Sequence, residues 1–186
     1  MKNILIVSGH TDLNDSFANR KIIEKLQKLI PQAEFDLLDK LYPDYRIDVK
    51  KEQKKLIKAD VIVLQFPTFW YSCPSIMRRW FEDVLVYGFS HGSTGKALAG
   101  KKLLASFTTG SPAELYQHGA LQNYTIDEFL PPFKQLANLC SMEWVDNYIW
   151  TDGVSYSVRN DENKIKEMEE KVAKHVDKLV DLLNSL

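Results

Sequence analysis

Phe69, Trp70 and Tyr71 are consecutive, and they lie between Pro67 and Pro74 just after the apolar run "DVIVLQF" (60–66). Three successive aromatic side chains on a non-helical loop cannot all enter one core, so at least one must meet solvent, a partner or a ligand. Prolines at both ends restrict the loop in advance and favour a preformed site. Such a loop suits a flat aromatic ligand, with backbone N–H groups at its polar edge, and equally suits an aromatic-rich interface between subunits. A second group, "SGHTDLNDSFAN" (8–19), runs into a helical pattern. Ser16 and Asn19, with Asn14 and Asp15 nearby, can complete an anion cradle around exposed helix N–H groups, or can simply cap the helix. His10 offers a hydrogen bond or a positive charge. A third group, "TTGSPAELYQHG" (108–119), places Thr108, Thr109 and Gly110 directly after another apolar run. Small residues there admit close backbone approach, and their N–H groups can stabilise negative charge on a bound ring. Tyr116 and His118 follow as candidate proton donors or as ordinary surface side chains. Cys73 has no His or Asp partner that the sequence argues for, and it reads as a small filler at a helix start.

These groups need elements to position them. Apolar runs at 2–9, 33–39, 60–66, 101–110 and 142–150 read as strands. Helical patterns occupy 16–30, 48–59, 74–88, 126–140 and 162–186. The first carries Phe17, Ile22, Ile23, Leu26, Leu29 and Ile30 on its apolar stripe, and the third carries Trp80, Phe81, Val84 and Tyr87. Asp48 is a candidate N-cap, Pro74 and Gly88 bracket a helix in the usual sense, and Pro131-Pro132 starts or kinks the fourth. Alternating strands and helices, with strands apolar on both faces, give a parallel sheet covered on both sides. Five such units predict an α/β, flavodoxin-like, doubly wound five-stranded parallel sheet in the order 2-1-3-4-5. Ligands of such sheets bind beyond the carboxyl ends of the strands, where the strand order reverses. All three groups fall there.

The bulk properties narrow the function. The 186 residues are 45% hydrophobic, which suits a single domain over 1–186. Twenty-four Lys and Arg against 25 Asp and Glu leave a net charge of −1, so a nucleic-acid binder is not expected. The basic run 50–58, "KKEQKKLIK", reads as the solvated face of a helix. Two distant cysteines give neither a disulfide framework nor a zinc spacing, and no metal site is expected. The amino-terminal apolar run is too short for a signal peptide, and no window approaches 18 apolar residues; the expectation is a cytoplasmic protein. The first group contains no G-x-G-x-x-G, and "STGKA" (93–97) fails the phosphate-loop spacing.

Taken together, "ILIVSGH…SFAN", "FPTFWYSCPSIMRRWFEDVLVYGFSHG", "ALAGKKLLASFTTG" and the following "YQHG" resemble the NAD(P)H:quinone oxidoreductase family, DT-diaphorase-like flavoproteins. The resemblance covers most of residues 2–150 and is nearest to the short bacterial branch. That branch includes ancillary oxidoreductases of glutathione-gated potassium efflux systems and general stress flavoproteins. The second segment is the specific one, with its F-P…W-Y-S-x-P core followed by a W-[FI]-[DE]-x-V helix.

The resemblance implies a bound flavin, FMN rather than FAD at this length, reduced by NAD(P)H and reoxidised by a quinone or similar acceptor in ping-pong order. It assigns His10, Ser16, Phe17, Ala18 and Asn19 to the flavin phosphate and ribityl chain. It assigns Thr68, Phe69, Trp70 and Tyr71 to the N5/O4 edge of the ring, and Thr108, Thr109, Gly110 and Ser111 to its pyrimidine side. Tyr116 and His118 are the matches for groups that assist charge on the reduced flavin. It further implies a homodimer that the helix over 74–88 helps to form, with the partner closing the flavin pocket. The alternatives are an ancillary subunit of a membrane potassium transporter, or an electron carrier of flavodoxin type. Flavodoxins proper carry T-x-T-G-x-T and are strongly acidic; this chain shows neither. The sequence departs from the family at Ser111, followed by Pro112, where the family has a second glycine, and in the short spacing from Tyr116 to His118. No basic cluster marks a 2′-phosphate site; Arg159 is the candidate for it.

Overall fold

The computed structural model describes residues 2–155 and 161–186. Parallel strands β1 (Ile4–Ser8), β2 (Glu34–Leu37), β3 (Val61–Pro67) and β4 (Lys102–Thr108) form the sheet, with β5 (Glu143–Trp144) and β6 (Ile149–Thr151) both paired to β4. The order is β2-β1-β3-β4-β5, with β6 continuing the β5 edge. Helices α1 (Ala18–Leu29) and α6 (Glu162–Ser185) pack on one face. The other face is covered by α3 (Val49–Lys58), α4 (Ser75–Val84) and α5 (Pro131–Leu139), with the short α2 (Leu38–Leu41) beside them.

The expected doubly wound sheet is therefore present, with one correction. The fifth strand expected over 142–150 is two short strands, so among the described residues the sheet has six. Leu103 pairs with Trp144 and Ser106 with Ile149, so five steps along the edge face three along β4. An edge strand has a single neighbour and tolerates such a bulge, whereas β3 and β4, held on both sides, run unbroken.

The alternation of each strand settles which helices it meets. Leu5, Val7, Ile62, Leu64, Leu103 and Ala105 face α3, α4 and α5, while Ile6, Val63 and Leu104 face α1 and α6. Register then aligns Ser8, Gln65 and Ser106 in one polar row across the three central strands. Pro67, Thr108 and Thr151 form the next row on that same face.

Several local expectations need adjusting. α4 ends at Val84 rather than Gly88. Gly88, at φ 82, donates its N–H to His91 O, and Tyr87 is 68% exposed instead of on the packed stripe. Leu29 is exposed on the last turn of α1. The run 50–58 is only partly a solvated face, because Glu52 is fully buried and Lys55 turns inward. Asp48 caps α3 through Lys51 N–H, and α5 starts at Pro131, as the sequence suggests.

Glu52 accepts from Tyr42 Oη (2.7 Å), Trp80 Nε1 (2.8 Å) and Lys55 Nζ (2.7 Å), and Lys55 also pairs with buried Asp36. Burial pushes the Asp36 carboxyl up to about 7, and its hydrogen bond to Glu52 acts the same way. Burial opposes ionisation of Glu52, but its hydrogen bonds from Asp36, Lys55, Trp80 and Tyr42 hold it below the ordinary value. A carboxyl whose folded pKa is raised binds its proton in the native state first, so its contribution to stability is lost as pH rises from about 4 to 7. Replacing Asp36 with Asn removes that loss. The stability of Asp36→Asn relative to the parent will rise with pH across this window and level off above it, as measured by urea unfolding at stepped pH.

Candidate functional site

Two adjoining clefts open at the carboxyl ends of the strands. The inner one, about 710 Å³, is lined by His10, Ser16, Phe17, Ala18, Asn19, Pro67, Thr68, Phe69, Thr108, Thr109 and Gly110, with Val154, Ser155 and Met168. The outer one, about 730 Å³, is lined by Thr68, Trp70, Tyr71, Gly110, Ser111, Tyr116, Gln122 and Ser155. Their shared lining of Thr68, Gly110 and Ser155 makes them one continuous depression.

The inner cleft ends at the amino terminus of α1. Ser16 Oγ caps it by accepting from Asn19 N–H (3.1 Å), so the capping reading of this loop holds. Asp12, meanwhile, caps the short 3-10 turn Leu13–Asp15. Phe17 and Ala18 carry the next N–H groups of the first turn, and the helix dipole favours an anion there. His10 Nδ1 accepts from Asp12 N–H (3.1 Å), which leaves the ring proton on Nε2. Burial lowers the pKa of His10 despite the nearby Asp39, so at neutral pH it brings a hydrogen bond rather than a positive charge. Its ring meets Phe69 edge-on at 5.7 Å. The Asn19 side chain is committed inward: Nδ2 donates to Thr108 Oγ1 (3.0 Å), and Oδ1 accepts from Gln65 Nε2 (2.9 Å).

The loop after β3 is a tight turn. Phe69 N–H donates to Ser72 O (2.9 Å) and Ser72 N–H returns to Phe69 O (3.1 Å). Trp70 and Tyr71 between them have φ of 49° and 65°. Positive φ at both central residues is the pattern of a type I′ turn, which Asn-Gly usually fills. Thr68 N–H is taken by Thr108 O (2.8 Å). Backbone donors to a ligand at this edge therefore come from Trp70 and Tyr71, while Thr68 keeps only its hydroxyl to offer. Trp70 is 93% exposed and Tyr71 55%. Cys73 is buried and burial raises its thiol pKa, in keeping with a filler.

On the opposite wall, Thr109 N–H is spent on Thr151 O (2.9 Å), so Gly110 and Ser111 supply the N–H groups of this loop. A Cβ built on Gly110 meets nothing within 4 Å among the described residues, so the glycine borders open space in both clefts. Trp150 Nε1 holds Thr109 Oγ1 (3.0 Å), and Tyr116 stands edge-on to Trp150 at 5.7 Å. His118 is placed away from both clefts. Its Nδ1 meets Asn123 O (3.0 Å) and its Nε2 meets Glu128 (3.2 Å). Arg159 lies outside the described residues.

Sequence reasoning missed three supports. Phe129, in a 3-10 turn, stacks on Tyr71 (5.6 Å) and meets Tyr116 (6.2 Å) and Tyr124 (6.3 Å) edge-on. Trp150 was hidden inside what read as a plain strand. The buried polar side chains Gln65, Ser106 and His175 lie beneath Thr108 and Asn19. Their signal was a glutamine inside "VIVLQF", a serine inside "LLASF" and a histidine on the apolar stripe of the last helix.

A doubly wound parallel sheet with its cleft at the strand carboxyl ends, and a helix amino terminus at the floor of that cleft, defines the class. Residues 2–176 match the family described as Flavodoxin-like fold, and the chain belongs to it. It is 41% identical over 158 residues to general stress protein 14 of Bacillus subtilis (strain 168), covering 85% of this chain and 89% of that one. It is 39% identical over 146 residues to the glutathione-regulated potassium-efflux system ancillary protein KefG of Enterobacter sp. (strain 638), covering 78% and 79%. The crystal structure of general stress protein 14 from Treponema denticola in complex with FMN superposes with a TM-score of 0.86. Its identity is 27%, over 97% of this chain and 99% of that one.

Proposed function

We propose that this chain, as a single domain over residues 1–186, is an FMN-dependent NAD(P)H oxidoreductase of quinone-reductase type. The observation that carries the reading is the continuous depression: an anion-ready helix terminus at one end, an open aromatic-walled slot at the other, and hydroxyl and N–H donors between. The FMN complex of the Treponema denticola relative supports the cofactor. The donor set accommodates it. Phe17 and Ala18 N–H with the Ser16 hydroxyl and His10 Nε2–H suit a phosphate, and Thr108 and Thr109 suit a ribityl chain. The space beside Gly110, which a Cβ would enter, suits a flat ring.

The chemistry that FMN supplies when bound is transfer of hydride from NAD(P)H to a quinone or similar electrophile, in ping-pong order through one shared slot. The protein's own residues hold and shield. Phe69, Pro67, Val154 and Met168 keep water from the inner cleft. Gly110 and Ser111 N–H groups place positive partial charge where negative charge develops, and Tyr116, oriented by Trp150 and Phe129, places a hydroxyl at the rim. His118, paired with Glu128, does not share that position. Exposed Trp70 and Tyr71 at the mouth support a homodimer that closes the cleft, in a protein we read as cytoplasmic.

Purified protein will be yellow or will turn yellow with FMN, and stopped-flow mixing with NADPH or NADH will bleach the flavin band before a quinone restores it. A bound flavin that NAD(P)H fails to bleach would leave an electron carrier instead. The likeness to KefG favours a second reading, in which the protein also serves as ancillary partner of a membrane transporter. Co-purification with such a transporter from membranes tests it.

A further inference from the structure

Below the inner cleft, six polar side chains form one buried chain. Thr151 Oγ1 meets His175 Nδ1 (2.8 Å), and His175 Nε2 meets Ser106 Oγ (2.8 Å). Ser106 Oγ meets Gln65 Oε1 (2.6 Å), Gln65 Nε2 meets Asn19 Oδ1 (2.9 Å), and Asn19 Nδ2 meets Thr108 Oγ1 (3.0 Å). Every member is buried. Strand register builds the chain, because Gln65, Ser106, Thr108 and Thr151 share the sheet face that α1 and α6 cover. An unmade hydrogen bond in so dry a place costs about 1–3 kcal/mol, so the chain is stable only if each link has one donor and one acceptor.

Donor arithmetic then couples the links. A hydroxyl carries one proton, and a neutral imidazole carries one ring proton. Ser106 gives its proton to Gln65 Oε1, so His175 must donate from Nε2 and accept at Nδ1 from Thr151. The two amides pass the same direction on through Asn19 to Thr108, whose own proton is then not taken by the chain. A half-turn of both amides gives the opposite setting: Thr108 donates to Asn19, every link reverses, and His175 carries its proton on Nδ1. The same heavy-atom positions serve both settings. They differ at Thr108, which lines the cleft as a donor in the first and as an acceptor in the second. Burial drives the His175 pKa down to about 3, with Lys178 acting in the same direction, so the ring stays neutral through the physiological range.

We propose that His175 is a positioning residue for the ligand: its tautomer fixes the polarity of the buried chain, and the Nε2–H form makes Thr108 a hydrogen-bond donor to an acceptor atom of FMN. The amides stand in that setting in the structure. The inference rests on the FMN reading above. It adds that α6, remote in sequence from the other site residues, sets the hydrogen-bond character of the cleft floor.

Long-range proton–nitrogen NMR of the four histidines in uniformly nitrogen-15 labelled protein tests it, with His175→Gln identifying the His175 signals. In the FMN complex His175 will show the Nε2–H pattern, unchanged from pH 5.5 to 8. An Nδ1–H pattern in that complex overturns the proposal. FMN affinity, followed by fluorescence quenching, supplies the second readout. Thr108→Val and His175→Leu will each weaken binding about tenfold, the worth of one hydrogen bond, and the double variant will lose little more than either alone. Fully additive losses would mean that His175 is only structural, and would sink the proposal. Should His175→Leu not fold, His175→Gln replaces it in the cycle, and the wild-type tautomer still decides. Failure of wild-type protein to bind FMN would fall on the functional reading instead, since the tautomer is read in the complex.

Discussion

Gly110→Val will weaken FMN binding by about ten- to a hundredfold and leave the unfolding midpoint nearly where it was. The two halves of that result have separate physical origins. A Cβ at Gly110 meets no atom within 4 Å among the described residues, and the backbone there is not left-handed. The folded protein therefore has room for a β-branched side chain, and losing a glycine restricts the unfolded chain by about 0.4–1 kcal/mol in the variant's favour. The same open space is where the two clefts join. Three added carbons there meet the bound ligand instead of protein, and overpacking of a fitted site costs about 1–3 kcal/mol. At 1.4 kcal/mol per decade that is the stated loss. Gly110→Ala will fall between the parent and valine. Urea unfolding and fluorescence titration with FMN read both halves from one preparation. Wild-type affinity in the valine variant would show that the ligand does not pass beside Gly110 and does not occupy the continuous cleft.

The residues that made this site legible were those whose types conflict with their local pattern. Aromatic triplets do not belong on loops, and small Thr-Thr-Gly does not belong at the end of a buried strand unless something approaches it. Both signals are local, and both led to cleft-lining positions. The doubly wound sheet was legible for a similar reason, because central strands apolar on both faces read without ambiguity. What stayed hidden is non-local. Gln65 and Ser106 each look like a single polar interruption, and only register places one beside the other. His175 sits on a packed stripe with Val172, Val176 and Leu179, and nothing near it in sequence names Ser106 or Thr151 as its partners. The β5–β6 break had only the polar pair Asp146-Asn147 to announce it, and two polar residues within an apolar edge run do not say whether the pairing to β4 is lost. His118 drew notice for its closeness to Tyr116 in sequence, yet the chain turns it toward Glu128.

Replacing Trp70-Tyr71 with Asn-Gly will stabilise the protein while impairing it. Both residues occupy positive φ, a region that costs an ordinary side chain roughly 1–2 kcal/mol per residue. Asn and Gly adopt it cheaply, and the paired Phe69 and Ser72 hydrogen bonds already demand that turn. Against the gain stands the stacking of Tyr71 on Phe129, worth about 0.5–1.5 kcal/mol. Trp70, almost wholly in solvent, has little packing to lose. The balance is a net stabilisation of about 1–2 kcal/mol, visible as a higher urea midpoint at unchanged slope. Strain that persists in a folded protein is held by what surrounds it, and it gathers at sites that bind. Here the strain presents two large faces at the mouth of the outer cleft, beside Tyr116 and Ser111. Removing them should leave FMN bound, since the inner cleft is lined instead by Phe69. The apparent KM for a quinone should rise about tenfold or more, the worth of an aromatic contact or two to a flat acceptor. A variant neither stabilised nor altered in KM would mean that the two aromatics relieve their own strain and serve no ligand. A variant stabilised with KM unchanged would move the acceptor site off the outer cleft.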